Sequence, residues 1–296
     1  MPIWYAKRAF SAFDSPGRAG LQGDSKQRLR LWSGLVLMAY AATHLANHAV
    51  GLWSLAEMEA VRLWFTGFWR SLPGTVLLAG AASVHVVLAL WKVAAGRTLR
   101  LPFWQWAQIA LGLAIPLLLA EHVFGTRLSH EVFGLEDRYA YVLLSTWPEK
   151  NVTMAAMIAV VWLHGCLGVH YWARLYPTYR DVRGWFLSIA VLLPVLAYMG
   201  YASAGREVAR LRAADPFWTG DLLRAIGFPG EEVSAFVAAG DRAATIGTIA
   251  IVVLIGSVRL GRAIAARRNQ VPLTYPGQRR LRVPRGISVL EASQRA

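Results

Sequence analysis

The chain is poor in cysteine and in charged residues. Its 296 residues include one cysteine, and only 16% are Asp, Glu, Lys or Arg. The single Cys166 excludes an internal disulfide, and it excludes a cysteine-ligated iron–sulfur cluster or zinc site within these residues. Soluble domains carry about 25% charged residues, so the shortfall disfavours a soluble enzyme. The apolar residues make up 56% of the chain and indicate a membrane protein.

Six apolar runs are each long enough to cross a bilayer as a helix, which takes about 20 residues. The runs are continuous rather than alternating, which disfavours membrane strands. The first run begins at residue 31 and has full span length, so it is interpreted as a retained helix and not as a cleaved signal peptide. The sequence therefore predicts an all-α, six-transmembrane helix bundle. The predicted spans are 31–53, 72–94, 104–124, 152–175, 185–204 and 243–263.

The charged residues predict the orientation of these spans. With both termini in the cytoplasm, the cytoplasmic side holds 21 of the 31 Lys and Arg residues but only four of the 17 acids. This positive-inside bias predicts a multi-pass protein with cytoplasmic N and C termini. No pattern of basic and aromatic residues accompanies the net charge of +14, so the charge indicates contact with anionic lipid and not with nucleic acid.

Proline and glycine mark the expected breaks. Pro116 and Pro194 each remove a backbone donor inside a span and are expected to kink the third and fifth helices. The last external loop, 205–242, contains an Asp-Pro and a Phe-Pro-Gly break. It is therefore predicted to form two short amphipathic helices on the outer surface.

Histidines are concentrated in the first four spans. Ionisable side chains within a bilayer are costly and are usually functional. Any one of them could simply bond a neighbouring carbonyl, but that reading explains poorly why four consecutive helices each carry one. His130 is placed in an external loop, where this simple reading is favoured. The histidines in or at the ends of spans are His44, His48, His85, His122, His164 and His170.

The depths of these histidines favour two pairs. At 1.5 Å per residue, His44, His48 and His122 lie within about 14 Å of the outer ends of their helices, and His85 and His164 lie about 18–20 Å deep. Bis-histidine ligation of a b-type haem needs two imidazoles that face each other at one level. The sequence therefore predicts two haems, with His44 and His122 as iron ligands of the outer haem and His85 and His164 as those of the inner haem.

Other roles were weighed for the same residues. His48 and His170 are reserve ligands or hydrogen-bond partners. Zinc or copper would need three or four ligands at one point, and the only acid within the spans is Glu121, beside His122. A proton relay through the histidines would lack partner carboxylates. Four small residues near the ligands would either admit a flat macrocycle or serve helix packing. They are Gly51, Gly80, Gly165 and Gly168.

These residues resemble the cytochrome b membrane subunit of the succinate dehydrogenase/fumarate reductase family, in its two-haem form. The first helix reads His-Leu-Ala-Asn-His over 44–48, and the fourth reads Leu-His-Gly-Cys-Leu-Gly over 163–168. The second contains Val84-His85 followed by an apolar run and Lys92. The resemblance covers residues 30–205, of which the third helix is the poorest match, and a sixth span departs from the family pattern. It implies one haem ligand from each of four successive helices.

The C-terminal tail resembles the opening of a plant-type [2Fe–2S] ferredoxin domain. After residue 264 it is predicted to form strand, turn and strand, then a helix that starts near Ser288 with Glu291 as its capping-box partner. Residues 283–292 read Val-Pro-Arg-Gly-Ile-Ser-Val-Leu-Glu-Ala, and the chain stops before any cluster cysteine. We therefore expect a longer natural protein that supplies the cluster ligands downstream. The alternative is a short basic tail without a fold of its own.

A six-span haem module followed by a ferredoxin domain resembles the front part of bacterial membrane-bound class III adenylate cyclases. The resemblance implies an inner-membrane protein and a homodimer, since class III catalytic domains work in pairs. It divides the chain into a cytoplasmic tail (1–30), a transmembrane haem-binding domain (31–263) and a cytoplasmic linker with the start of the ferredoxin (264–296). Electrons would pass between a membrane redox pool and a cytoplasmic [2Fe–2S] domain, and a quinone is left open as the redox partner. The alternatives are a respiratory cytochrome b subunit and a haem-free receptor or anchor.

Overall fold

The computed structural model describes residues 25–96, 101–274 and 280–284, and these residues form nine helices and one pair of strands. The expected helix from Ser288 lies outside the described residues. Helix α4 contains a π-helical turn, Phe124–Leu128. The helices are α1 (Ser25–Val50), α2 (Leu55–Trp69), α3 (Leu72–Ala95), α4 (Phe103–Phe133), α5 (Tyr139–Thr146), α6 (Asn151–Ala173), α7 (Tyr179–Ala214), α8 (Trp218–Ala225) and α9 (Glu231–Arg268).

Five helices, α3, α4, α6, α7 and α9, are long and apolar enough to cross a membrane. They coincide with the last five predicted spans. The first predicted span is also helical, as α1, but it is less apolar than the other five. Basic residues occupy its first turns, and two histidines and an asparagine occupy its last two turns. The fold is therefore an all-α, multi-pass membrane type.

Two helices extend well beyond their predicted spans. Helix α7 runs to Ala214 and stops immediately before Asp215-Pro216, while α9 begins at Glu231, just after Gly230, whose φ is 77°. The prediction of two short helices in 205–242 is therefore wrong in part, because only α8 is separate. The Pro and Gly breaks end helices as expected, but helix-forming residues before the first break continue α7. Pro116 and Pro194 both lie inside helices.

The chain divides into two compact units. Of the described residues, the larger one holds 25–88 together with Pro102–Thr248. Its helices α1 and α7 meet through glycines, since a Cβ on Gly200 would lie 2.0 Å from the carbonyl oxygen of His48. Two apolar clusters fill this unit, one around Met58, Leu143 and Tyr201 and the other around Leu45, Trp162 and Ala197.

Of the described residues, the smaller unit contains 89–96, Leu101, 249–274 and 280–284. Here Arg259 and Arg262 of α9 donate hydrogen bonds to the carbonyl oxygens of Val93 and Ala94 in the last turn of α3. Strands β1 (Gln270–Thr274) and β2 (Arg280–Pro284) pair antiparallel, with Val271 opposite Val283. The two strands expected in the tail are thus present.

Candidate functional site

The inner histidines meet between α3 and α6. The ring centroids of His85 and His164 are 6.2 Å apart and their planes are inclined at 83°. His85 Nδ1 lies 3.0 Å from the backbone oxygen of Arg30, which sets Nδ1 as the donor because a carbonyl can only accept. His164 Nδ1 is buried without a partner. The helix that carries His164 is fixed by Gln108, whose Nε2 donates to the His164 carbonyl at 3.0 Å.

Each inner ring lies against one glycine. The glycine beside His85 is on α1, and the glycine beside His164 is on α4. A Cβ added to Gly34 on α1 would lie 3.0 Å from His85 Cε1, and a Cβ added to Gly112 on α4 would lie 3.0 Å from His164 Cε1. Both contacts are tighter than ordinary carbon–carbon contacts of about 3.5–4.0 Å. An alanine at either position would push the imidazole away by a few tenths of an ångström, so these glycines let the rings lie close to α1 and α4.

These are not the glycines that the sequence singled out. A Cβ on Gly51 would meet the Gly200 carbonyl oxygen at 2.5 Å, and one on Gly165 would meet Met38 Sδ at 2.4 Å. These two positions serve helix packing. Gly80 has open space around its Cβ position, and Gly168 has only Gln108 near it, at 3.6 Å.

The outer histidines form a group of three between α1 and α4. The ring centroids of His44 and His122 are 5.9 Å apart, with an interplanar angle of 55°. His48 lies one turn after His44 on α1, and the two Nε2 atoms are 3.2 Å apart. One ring must donate and the other accept in this contact. The Nδ1 atoms of His44 and His48 are buried without partners.

Aromatic side chains enclose the outer group. Tyr40 stacks on His44 with centroids 5.8 Å apart, and Phe65 of α2 lies 5.3 Å from the same ring. Tyr139, the first residue of α5, meets the His48 ring edge to face at 5.4 Å. The phenol of Tyr139 accepts a hydrogen bond of 2.8 Å from Asn47 Nδ2. Asn47 and Tyr139 are 2% and 5% exposed.

A buried ion cluster lies beside this aromatic wall. Asp137 is 5% exposed and receives both terminal nitrogens of Arg70, one at 2.9 Å. Arg62 lies 3.6 Å from the same carboxylate and also donates two hydrogen bonds to Glu59. The other oxygen of Glu59 accepts from the backbone N–H of Tyr139 at 3.0 Å. This cluster ties α2 to the start of α5.

A cleft of about 450 Å³ opens beside His122. The π-helical turn after His122 forms one wall, with Thr126 Oγ1 bonded to the His122 carbonyl at 2.6 Å. Glu121 and Lys150 form an ion pair at the cleft, and Asp241 of α9 also lines it. Burial raises the pKa of Tyr141, another lining residue, and a hydrogen bond from Ser145 opposes the rise. The lining therefore mixes charged, hydroxyl and apolar groups.

The remaining two histidines lie elsewhere. His170 Nδ1 is 2.8 Å from the hydroxyl of Tyr179, so it is bonded near the end of α6. His130 Nδ1 is 2.9 Å from the Leu135 carbonyl oxygen, the simple role favoured for it from the sequence. Neither ring joins the inner or the outer group.

The histidine groups fit the ligation of two haems. Metal–imidazole bonds are about 2 Å long, so two imidazoles bound to one iron have ring centres about 6 Å apart. The observed separations of 5.9 and 6.2 Å are close to this value. Each pair comes from two different helices, and each includes a buried Nδ1 without a partner. Among the described residues, no three His, Cys, Asp or Glu side chains are grouped to hold another kind of metal ion.

Several residues of the site were missed from the sequence. Asn47, a polar residue inside an apolar run, was a usable signal. Helix α2 was also missed, although Ser54 and Glu57 form an N-terminal capping pair in which Ser54 Oγ accepts from the Glu57 N–H at 3.1 Å. Asp137 and Tyr139 gave no local signal, because they lie in an external connection whose fold depends on α2.

Comparison with protein-family models, with curated proteins and with solved structures found no match.

Proposed function

We propose that the chain is a six-span membrane cytochrome that binds two b-type haems. His44 and His122 would hold the outer haem, and His85 and His164 the inner one. The observation that carries this proposal is the meeting of four imidazoles from four helices in two pairs, with centroids 5.9 and 6.2 Å apart. A haem-free receptor would have no evident need for this arrangement.

The spacing along two helices supports two levels. On α1, His44 of the outer group follows Gly34 of the inner group by ten residues, and on α4 His122 follows Gly112 by the same number. Ten residues correspond to about 15 Å along a helix. Helices α1 and α4 thus supply ligands at the outer level and space at the inner level, while α3 and α6 supply the inner ligands.

Bound haem would supply one-electron redox chemistry at each level. The chain itself would orient the two imidazoles of each pair and keep the sites within an apolar bundle. The Arg30 carbonyl would hold the His85 ring by its Nδ1–H, as hydrogen-bond acceptors beside ligating histidines do. The Nδ1 of His164 is buried and has no hydrogen-bond partner in the described part of the chain.

The proposed redox partners at the two sides of the membrane rest on the charge bias, the cleft and the tail. If the chain spans a bacterial inner membrane with both termini in the cytoplasm, the cleft beside His122 lies at the outer side. Its mixed lining suits the head group of a quinone, which is the redox partner we propose. By the resemblance of the tail, the inner haem would exchange electrons with a cytoplasmic [2Fe–2S] domain and regulate an attached adenylate cyclase. Such a cyclase would act as a homodimer.

The test is the absorption spectrum and haem content of the purified full chain, expressed with ample haem. We expect a reduced-minus-oxidised b-type spectrum and about two haems per chain. His85→Ala or His164→Ala should remove one haem and leave the other, whereas the control His170→Gln should retain both. A correctly folded but colourless protein would refute the proposal, and loss of the outer haem alone from His85→Ala would refute the pairing.

A further inference from the structure

His48 belongs to the outer group of histidines but to neither of the two proposed ligand pairs. It is buried at the outer level, its Nε2 lies 3.2 Å from that of His44, and its Nδ1 has no partner. His48 can orient the neighbouring ring of His44 only if its own ring is held in place.

Tyr139 is the aromatic residue that meets His48 from outside α1. The two rings are inclined at 70° with centroids 5.4 Å apart, an edge-to-face geometry that aromatic rings prefer. The Tyr139 hydroxyl accepts from Asn47 Nδ2 at 2.8 Å, and Asn47 directly precedes His48. Tyr139 is therefore fixed to the same turn of α1 that carries the leftover histidine.

Both ends of Tyr139 are held. Its backbone N–H donates to Glu59 of α2 at 3.0 Å, and Glu59 is itself held by two hydrogen bonds from Arg62. Two residues before Tyr139, the carboxylate of Asp137 accepts two hydrogen bonds from Arg70. Burial raises the pKa of the Tyr139 hydroxyl, so the phenol stays neutral. A neutral phenol also avoids placing a negative charge beside the histidines.

We propose that Tyr139 is a positioning residue for the outer haem site, which fixes the ring of His48 and, through the edge-to-face packing of that ring on His44 with centroids 4.6 Å apart, the orientation of His44. This inference rests on the proposed function. It assigns a role in the redox site to an external segment that carries no ligand. The ion cluster of Asp137, Arg62 and Arg70 then serves to hold that segment against α1.

The experiment compares Tyr139→Leu and Tyr139→Phe in the haem-loaded full chain. Tyr139→Leu removes the ring from His48, and Tyr139→Phe keeps the ring but releases Asn47. Tyr198→Leu and Tyr198→Phe are matched controls, because Tyr198 packs against the same apolar cluster through Tyr201. The readouts are haem content, the midpoint potential of each haem, and the low-temperature electron paramagnetic resonance of the ferric protein. That signal depends on the angle between the two axial imidazole planes.

The two ring pairs differ in this angle, 55° for the outer and 83° for the inner pair, so two signals are expected. Tyr139→Leu should shift the signal and the potential of the outer haem and leave those of the inner haem unchanged, with both haems retained. Tyr139→Phe should give a smaller shift of the same sign. The Tyr198 variants should move neither signal.

Unchanged outer signals in both Tyr139 variants, with two haems bound, would overturn the inference but not the proposed function. Equal shifts of both haems, or equal shifts in the Tyr198 variants, would show a general packing effect and would also overturn it. Should Tyr139→Leu not fold, Tyr139→Phe, which preserves the buried ring, decides on its own. A wild-type chain that binds no haem would refute the proposed function itself.

Discussion

Under the proposed function, Gly112→Ala is expected to weaken the inner haem site by crowding His164, one of its two proposed ligands. The new Cβ would lie 3.0 Å from His164 Cε1, where ordinary contacts are about 3.5–4.0 Å. The ring must therefore move by a few tenths of an ångström, or the helices must separate. Such overpacking typically costs about 1–3 kcal/mol, which corresponds to a loss of about 5- to 150-fold in affinity. Gln108 holds the backbone carbonyl of His164, so the ring would have to give way by rotation of the side chain.

Gly80→Ala is the matched control. Gly80 also lies in the interior of an apolar helix, but a Cβ there meets nothing within 4 Å. Both changes alter backbone conformational entropy and helix propensity in the same way, by about 0.5–1 kcal/mol in favour of the helix. The difference between the two variants therefore isolates the contact with His164.

The assay is haem titration of the purified apoprotein, followed by the difference spectrum of the inner haem. We expect Gly112→Ala to lower the affinity of one haem site and Gly80→Ala to leave both sites unchanged. Gly34→Ala, which crowds His85 by the same distance, should weaken the same site. Equal affinities in Gly112→Ala and Gly80→Ala would show that His164 does not occupy the position of a ligand, and weakening of the outer site alone would contradict the two levels.

Two further predictions concern stability and topology. Asp137→Ala should lower the free energy of unfolding by about 3 kcal/mol, because it removes the buried carboxylate that partners Arg70, a side chain that is itself only 21% exposed. Thermal unfolding in detergent measures this. A loss no larger than that of the control Glu131→Ala, whose half-exposed pair is worth about 0–1 kcal/mol, would contradict it. Alkaline phosphatase fused into the connection between α1 and α3 should be active, and fused between α6 and α7 or after β1 it should be silent; an active fusion after β1 would contradict six spans with cytoplasmic termini.

The pairing of the histidines was predictable because depth in a helix depends only on residue number. One rise per residue places His85 and His164 at one level, and the structure brings these two rings together. The first helix illustrates the opposite case. Its polar residues made the run at 31–53 less apolar than the other spans, and the same residues, His44, Asn47 and His48, build the outer site.

The glycines could not be predicted because the spans are apolar on every side. Without a polar face, no periodic pattern sets the rotation of a helix about its axis, so the sequence could not tell which glycine faces a histidine. Nearness along the chain pointed to Gly51 and Gly165 as residues that leave space for a macrocycle. Both instead serve helix packing. Gly34 and Gly112 are recognised only when α1 and α4 are placed beside α3 and α6.

The two histidine groups differ in a way that fits a division of labour under the proposed function. The inner group consists of two imidazoles, two close glycines and one backbone carbonyl, so it holds its rings with few polar groups. The outer group has a third imidazole, a buried phenol, an ion cluster and an open cleft. Exchange with an external partner needs access and polar groups, whereas relay between fixed sites needs neither. Under the proposed function we therefore expect electrons to enter at the outer level, beside the segment that the ion cluster around Asp137 holds against α2.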